Sequence, residues 1–293
     1  MQKLITALVL SLSLSLTAHA DSKTNIAVYR YWDFGASQKR DEYQFVLLHL
    51  ALDKSAQTYG KYELYRLDEP YNAPRSIREL ERGDTINIIA TPRINNPKTT
   101  FTIKKQLFNG LLGYRKLIVR RSDLKKFKQI HSAKELQNLA AGQARDWEDV
   151  NIYRYNNYKV VDSADFFSLF PMLAAKRFDY ISLSVVEVDD IMARFPKYAE
   201  DFAVVPNLIV YYPFPVRFNI SAQHPELVDR LVKGMEIAQA DGSMRDLFEK
   251  YFVDEMAKLR LKNLKVFILK NPKELNSPEL DKPDLLPEYS AMK

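Results

Sequence analysis

Apolar and polar positions along this chain alternate in two periods, and the order of those periods predicts an architecture. Ile26-Ala27-Val28-Tyr29 reads as a short strand that runs into Arg30-Tyr31-Trp32-Asp33-Phe34-Gly35. Between Tyr43 and Thr58 the apolar residues Phe45, Leu47, Leu48, Leu50, Ala51 and Leu52 recur with helical spacing, and Gly60 ends the pattern. Tyr62 to Leu67 alternates as a strand does, Pro74 to Glu81 sets Ile77 and Leu80 on one helical face before Gly83, and Ile86 to Ala90 is a buried strand. This β-α-β-α-β order argues for a mostly parallel sheet flanked by helices rather than a sandwich.

A second pattern of the same kind begins after Asn109-Gly110-Leu111-Leu112-Gly113, which sets two of the chain's eight glycines at the entrance to the strand Tyr114 to Val119. Glycines at such a junction allow backbone dihedrals that other residues avoid, so the stretch reads as a hinge, or as a tight turn into an ordinary strand. Ser132 to Leu139 is a short helix opened by a Ser132/Glu135 capping box. Ala140 to Trp147 leads through Gly142 into a polar turn. Helices are expected over Ala164 to Lys176 and Val185 to Phe195, with the strand Tyr180 to Leu183 between them. Ala203 to Tyr211 extends back, and Pro213 to Ile220 reads as a second crossing segment. Pro225 to Ala240 and Ser243 to Phe252 are helices broken at Asp241-Gly242. Having no sheet of their own, they are expected to pack on the first lobe.

Composition narrows the chemistry. A chain of 293 residues, 46% hydrophobic, can bury one large core or two medium ones. The absence of cysteine excludes disulfides, thiolate metal sites and cysteine nucleophiles. The net charge of +6 is spread along the chain, and the densest basic cluster, Lys116 to Lys128, lacks the interleaved aromatics of a single-stranded nucleic-acid platform. Lys3, the apolar run Leu4 to Thr17 and Ala18-His19-Ala20 form the charged, apolar and small-x-small segments of a secretory signal peptide. The mature chain is then expected to begin near Asp21, in a Gram-negative periplasm, with no lipid anchor and no membrane insertion. His49, His131 and His224 lie in separate elements without metal-ligand spacing, and no Gly-x-Ser-x-Gly elbow, P-loop or dinucleotide fingerprint is present. No cofactor is expected.

Binding candidates stand at strand ends, where ligands gather in open α/β sheets. Tyr31 and Trp32 follow the first strand and could stack on a solute, or Trp32 could plug a core. Thr91 and Arg93 follow the strand that ends at Ala90, and a guanidinium can clamp a carboxylate with two parallel hydrogen bonds.

The run Tyr212-Pro213-Phe214-Pro215-Val216-Arg217-Phe218, followed by a long helix, Asp241-Gly242 and the Leu247 to Phe252 helix, resembles the closing third of the periplasmic solute-binding proteins of the polar-amino-acid class (family 3 extracellular binding proteins). Gly110-Leu111-Leu112-Gly113-Tyr114-Arg115, Gly142-Gln143 with Trp147 and Asp149, Phe178-Asp179-Tyr180 and Asn271-Pro272 are similar to its transporter substrate-binding domain branch. The resemblance covers most of residues 24 to 272. It implies a two-lobed type II periplasmic binding protein fold, each lobe a mostly parallel sheet flanked by helices, joined by two crossing strands, with the solute in the cleft.

The family's carboxylate-binding arginine corresponds best to Arg93, although Thr91 stands two residues ahead of it where the family spaces three. Gly142-Gln143 lacks the threonine of the family's turn, and Ser184 stands where the family uses an aspartate for the ligand's amino group. An ammonium group in the cleft would then lose its strongest partner unless Glu187, which the pattern sets inside the next helix, supplied it. The expected ligand site is Tyr31, Trp32, Thr91, Arg93, Gln143, Trp147 and Ser184, with Arg145 as a further polar candidate. The expected organisation is a signal peptide over 1–20, a first lobe of 21–112 plus 213–270, a second lobe of 113–212, and a Pro-rich tail over 271–293. Met256 to Leu269 is expected as a final helix or strand across the first lobe.

The reading is a monomeric, non-catalytic binder that takes up a small polar, carboxylate-bearing solute by cleft closure and hands it to a membrane permease. Two alternatives stay open. One is a sensory or accessory protein for a membrane signalling partner. The other is a cyclohexadienyl dehydratase-like lyase, for which Glu187 or Asp146 could serve as the acid.

Overall fold

The computed structural model describes residues 26–92, 96–260 and 263–276. The expected signal peptide, Arg93 and the tail beyond residue 276 lie outside the described residues. The first half contains β1 (Ala27–Trp32), α1 (Gln38–Lys54), α2 (Ala56–Tyr59), β2 (Tyr62–Leu67), α3 (Ala73–Arg82), β3 (Ile88–Thr91), β4 (Thr100–Thr102) and β5 (Tyr114–Arg120). Next come α4 (Leu124–Lys128), α5 (Ala133–Gln137), β6 (Ala140–Ala144), α6 (Glu148–Tyr155), β7 (Lys159–Ser163), α7 (Leu169–Ala174), β8 (Tyr180–Ser184) and α8 (Val188–Ala193). The chain closes with β9 (Phe202–Val204), β10 (Leu208–Tyr211), β11 (Arg217–Ser221), α9 (Pro225–Ala240), α10 (Ser243–Leu259) and β12 (Lys265–Ile268).

Local chemistry accounts for the helix ends. Ser37 opens α1 by accepting a hydrogen bond from the Arg40 amide, and Asn72 does the same for α3 through the Arg75 amide, with Pro74 in that helix's first turn. Gly83 closes α3 in the left-handed region, at φ 80°.

The strands form two sheets. The first has the order β2-β1-β3-β11-β4 and the second β12-β10-β5-β8-β6-β7, with β9 beside β5. Both sheets are mixed rather than mostly parallel. β1 runs parallel to β2 and β3, but β11 is antiparallel to β3 and β4, and β5 is antiparallel to β8, β9 and β10. A helical crossover within one sheet returns the chain parallel. β5 and β11 instead arrive from the other lobe, so they enter their sheets from the opposite end.

The core of the first lobe joins Tyr29, Tyr31 and Phe218 of the sheet to Tyr43, Leu47, Leu48 and Ala51 of α1, Leu227, Leu231 and Met235 of α9, and Phe248 and Phe252 of α10. The two late helices therefore pack on the first lobe, as their apolar faces predict. In the second lobe one core lies under α6, around Leu117, Val119, Tyr153, Tyr180 and Tyr212, and another under α7 and α8, around Phe170, Phe178 and Ile181.

Residues 140–144 are a strand that leads into the expected polar turn; Ala and Gly are weak strand formers, and parallel pairing with β7 and β8 holds them extended. The helix expected from Ala164 forms only over Leu169–Ala174, after Asp165 and Ser168 bond one another at 2.6 Å. The largest departure is at the C-terminus. β12 joins the second sheet, parallel to β10, where a place on the first lobe is expected. Phe267 and Leu269 enter the core beside Val210 and Tyr212, which decides that placement. The chain thus crosses between the lobes a third time. The following residues brace the second crossing segment: Asn271 donates to the Pro213 carbonyl at 2.8 Å, and Glu274 pairs with Arg217 at 3.4 Å. Among the described residues, no helix is long and apolar enough to cross a membrane.

Candidate functional site

The crossing segments meet between the lobes. Leu111–Gly113 is a single 3-10 turn entered from Gly110 at φ 80°, and the Tyr212 amide donates to the Gly113 carbonyl at 3.2 Å. A Cβ on Gly113 would lie 2.2 Å from the Tyr212 carbonyl oxygen, so only glycine lets the two segments lie this close. The glycines read as a hinge thus mark the point where the chain passes between the lobes.

A cavity of about 220 Å³ opens beside this junction. Phe34, Gly35, Ala36, Arg40, Gln44, Ile77, Thr91 and Pro92 line it from the first lobe. Arg115, Asp146, Trp147, Glu148, Asp149, Phe166, Phe167, Glu187 and Ile191 line it from the second, and Phe214 and Val216 from the second crossing segment.

The structure brings only some of the sequence candidates here. Thr91 and Trp147 line the cavity. Tyr31 does not; alternation along β1 turns it into the core, where its hydroxyl donates to Gln44 at 2.9 Å and its ring meets Phe45 and Phe218. Trp32 faces the other side of the sheet, packs with Leu80, Ile86 and Ile89, and donates its indole N–H to the Glu69 carbonyl at 2.8 Å. It touches the cavity only through Phe34, whose ring centre is 4.8 Å from its own. Gln143 is sealed inside the second sheet and Ser184 beneath the start of α8; neither lines the cavity. Arg145 points to solvent and pairs with Asp162.

Glu187 lies just before α8, as its N-cap residue, so its carboxylate is free of the helix and accepts from the Ser184 amide at 3.2 Å. A carboxylate therefore faces the cleft three residues beyond Ser184. Arg40 and Arg115 were not singled out by the sequence pattern. Arg115 left a signal there: it shares the buried face of β5 with Leu117 and Val119, an unusual place for a charge.

These groups form one buried ionic cluster. Arg40 binds Asp41 at 2.7 Å and reaches across to Glu187. Arg115 pairs with Asp149 at 3.2 Å and stands 3.8 Å from Glu187, with Phe214 4.4 Å and Tyr212 4.9 Å from its guanidinium. The Tyr212 hydroxyl donates to Asp149, whereas Arg115 Nε finds no hydrogen-bond partner among the described residues. Burial raises the pKa of both Asp41 and Asp149, against the pull of Arg40 and Arg115 respectively. Burial alone would lower the two guanidinium pKa values, but the carboxylates outweigh it and raise them. Among the described residues the cluster holds two cations, Arg40 and Arg115, against three carboxylates, Asp41, Asp149 and Glu187.

A second set of bonds ties the lobes at the cavity's edge. Asp190 accepts from the Ser37 hydroxyl at 3.0 Å and the Lys39 amide at 2.8 Å, at the N-terminus of α1. Arg194 donates to the carbonyls of Gly35 and Ala36 at 2.7 and 2.8 Å, and Lys258 pairs with Asp189 at 3.2 Å. Ser37→Ala removes a helix cap and one bridge together; it is expected to lower stability by about 1 kcal/mol in chemical denaturation. An unchanged midpoint would show that neither contact matters in solution. Among the described residues, no group of three or more His, Asp or Glu is placed to hold a metal ion.

No family model matches the chain, and no curated protein matches it. Solved structures do. An ancestral arginine-binding protein bound to arginine superposes with a TM-score of 0.54 at 15% identity, covering 77% of this chain and 98% of that one. The periplasmic VFT2 domain of Bordetella pertussis BvgS gives 0.54 at 12% identity, over 77% and 93%. An ancestral amino-acid-binding protein described as a precursor of cyclohexadienyl dehydratase gives 0.51 at 16% identity, over 77% and 96%. The chain has the two-lobed type II periplasmic binding protein fold.

Proposed function

We propose that this protein is a periplasmic solute-binding protein that captures a small, amino-acid-like, carboxylate-bearing solute between its lobes and delivers it to a membrane transporter. The observation that carries the reading is the charged interlobe cavity, in which Arg40, Arg115 and Glu187 from opposite lobes converge beside Thr91 and Trp147. A solute lodged there contacts both lobes at once, so its binding energy is spent on the closed form. A ligand shifts an open-closed equilibrium only through such differential contact. Glu187 is the acceptor for an ammonium group, in place of the buried Ser184. Arg115 is a donor for a carboxylate, joined by Arg93 on the sequence reading. The charged, apolar and small-x-small pattern over residues 1–20 supports the periplasmic address.

The test is a thermal-shift screen of residues 21–293 against amino acids, small carboxylates, short peptides and prephenate. A ligand at a hundred times its dissociation constant adds about 2.7 kcal/mol to the stability of the fold. A shift with one amino acid or carboxylate, and no turnover of that compound, is the expected result. Turnover of prephenate would convert the reading to a lyase. A flat response across the panel would remove the solute-binding reading.

A further inference from the structure

Building on the solute-binding reading, we propose that the cavity takes an α-amino acid with a single-ring aromatic side chain, its ammonium group at Glu187 and Asp149 and its ring among Phe34, Trp147 and Phe166. Size, lining and charge converge on this class. A cavity of about 150 Å³ lined by apolar side chains is enough for a benzene ring. The interlobe cavity, about 220 Å³, holds such a ring with about 70 Å³ to spare, the share of roughly two water molecules. That remainder suits an α-carbon with its amino and carboxyl groups.

The lining away from the ionic cluster is aromatic. Trp147 and Phe166 stand 5.6 Å apart between ring centres, and Phe166 and Phe167 5.3 Å. Phe34 faces the cavity from the first lobe. Phe34 and Phe167 belong to opposite lobes, line the same cavity, and are left 39% and 54% exposed. Large rings held in water at the mouth of a cavity gain by being covered, and an aromatic guest adds offset or edge-to-face contacts that an aliphatic chain lacks.

The head group follows from the charges. Both arginines are already engaged by side-chain carboxylates, and among the described residues of the cluster the carboxylates outnumber the guanidinium groups by one. An incoming ammonium group meets the carboxylates of Glu187 and Asp149, both of which line the cavity, so it is the part of the ligand whose loss is felt most. The ligand's carboxylate has a donor in Arg115, which lines the cavity.

The test is calorimetric titration of residues 21–293 with phenylalanine, phenethylamine, 3-phenylpropionate, alanine and arginine, repeated with Glu187→Gln and Phe34→Ala. Phenylalanine is expected to bind best. 3-Phenylpropionate and alanine should each be weaker by roughly tenfold to a hundredfold, the scale of one charged hydrogen bond or one buried ring. Phenethylamine should lose less than 3-phenylpropionate. Glu187→Gln should weaken phenylalanine and phenethylamine while leaving 3-phenylpropionate no weaker, a selective change that a misfolded variant would not give. Phe34→Ala should narrow the gap between phenylalanine and alanine. Binding of alanine or arginine as tight as that of phenylalanine would overturn the aromatic assignment and leave the solute-binding reading standing. So would a broad-screen ligand of another class with none of these five bound. Silence from these five and from the broad screen would overturn both.

Discussion

Replacing Arg115 with methionine is expected to lower the stability of the fold by about 3–5 kcal/mol at pH 7.5, the cost of leaving buried carboxylates without their cation. Methionine keeps the packing against Phe214 and Tyr212 but strands Asp149, which is 3% exposed and loses its cation while keeping the Tyr212 hydroxyl. The loss should depend on pH with a definite sign. Asp149 and Asp41 already sit above the ordinary carboxylate value of 3.8, so the folded chain holds their protons more tightly than the unfolded one. Their contribution is complete below that value and is lost as the pH rises through the raised ones. Without Arg115, whose charge pulls Asp149 down, the raised value climbs further toward neutrality. Acidifying from pH 7.5 to 5 should therefore recover more stability in the variant than in the native protein. Asp162 and Asp165 are held below 3.8, so what they contribute is lost only at lower pH and does not mask the effect. Urea denaturation at both pH values measures this. Arg115→Met with Asp149→Asn should be more stable at pH 7.5 than Arg115→Met alone. Equal loss at pH 5 and 7.5, with no rescue by Asp149→Asn, would remove the buried pair as the cause.

The same pair shows what the chain reveals in advance and what it hides. Local signals read through to structure wherever a single stretch carries them. Pro225 at the first helical position and Asp241-Gly242 after the last bound α9 as expected, Gly83 ends α3, and Gly110 and Gly113 mark the passage between the lobes. The order of elements led to the fold. The site was harder because it is assembled from long-range neighbours. Alternation along β1 establishes that Tyr31 and Trp32 point opposite ways, but not which way the cavity lies, and both prove to be packed against their own lobe. Arg115 stands out as a charge on an apolar face, yet its partners Asp149, Glu187 and Tyr212 come from α6, the start of α8 and the second crossing. The apolar pattern starts a helix at Val185 and so encloses Glu187, but the helix begins three residues later, spanning Val188–Ala193, and leaves the glutamate as its cap. β12 joins the second lobe and not the first, and an apolar-basic alternation carries no information about which sheet edge is open to it.

Gly234→Ala should destabilise the protein by about 3 kcal/mol, although the substitution favours the helix it lies in. In the interior of a helix, alanine exceeds glycine by about 0.8–1.0 kcal/mol. Against that, α9 lies so close to α1 that a Cβ on Gly234 would fall 1.8 Å from the Ala51 carbonyl oxygen and 2.6 Å from its carbon. Both are backbone atoms, which no rotamer change can move aside. Ordinary overpacking costs about 1–3 kcal/mol, and a clash with main chain belongs at or above the upper end. The Ala51 carbonyl also accepts from the Ser55 amide at 3.2 Å and the Ser55 hydroxyl at 2.9 Å, so displacing it loosens the end of α1 as well. A loss of that size corresponds to a melting temperature lower by roughly 6–12 °C. Val232→Ala, at a partly exposed position on the same helix, is the control and should change stability by about 0.5 kcal/mol or less. A melting temperature unchanged or raised by Gly234→Ala would mean that the helices part without cost. Ala51 lies eleven residues beyond Arg40 on α1, about 16 Å along the helix. Ligand affinity measured well below the melting transition should therefore change far less than stability does, because the clash moves the end of α1 remote from the ionic cluster.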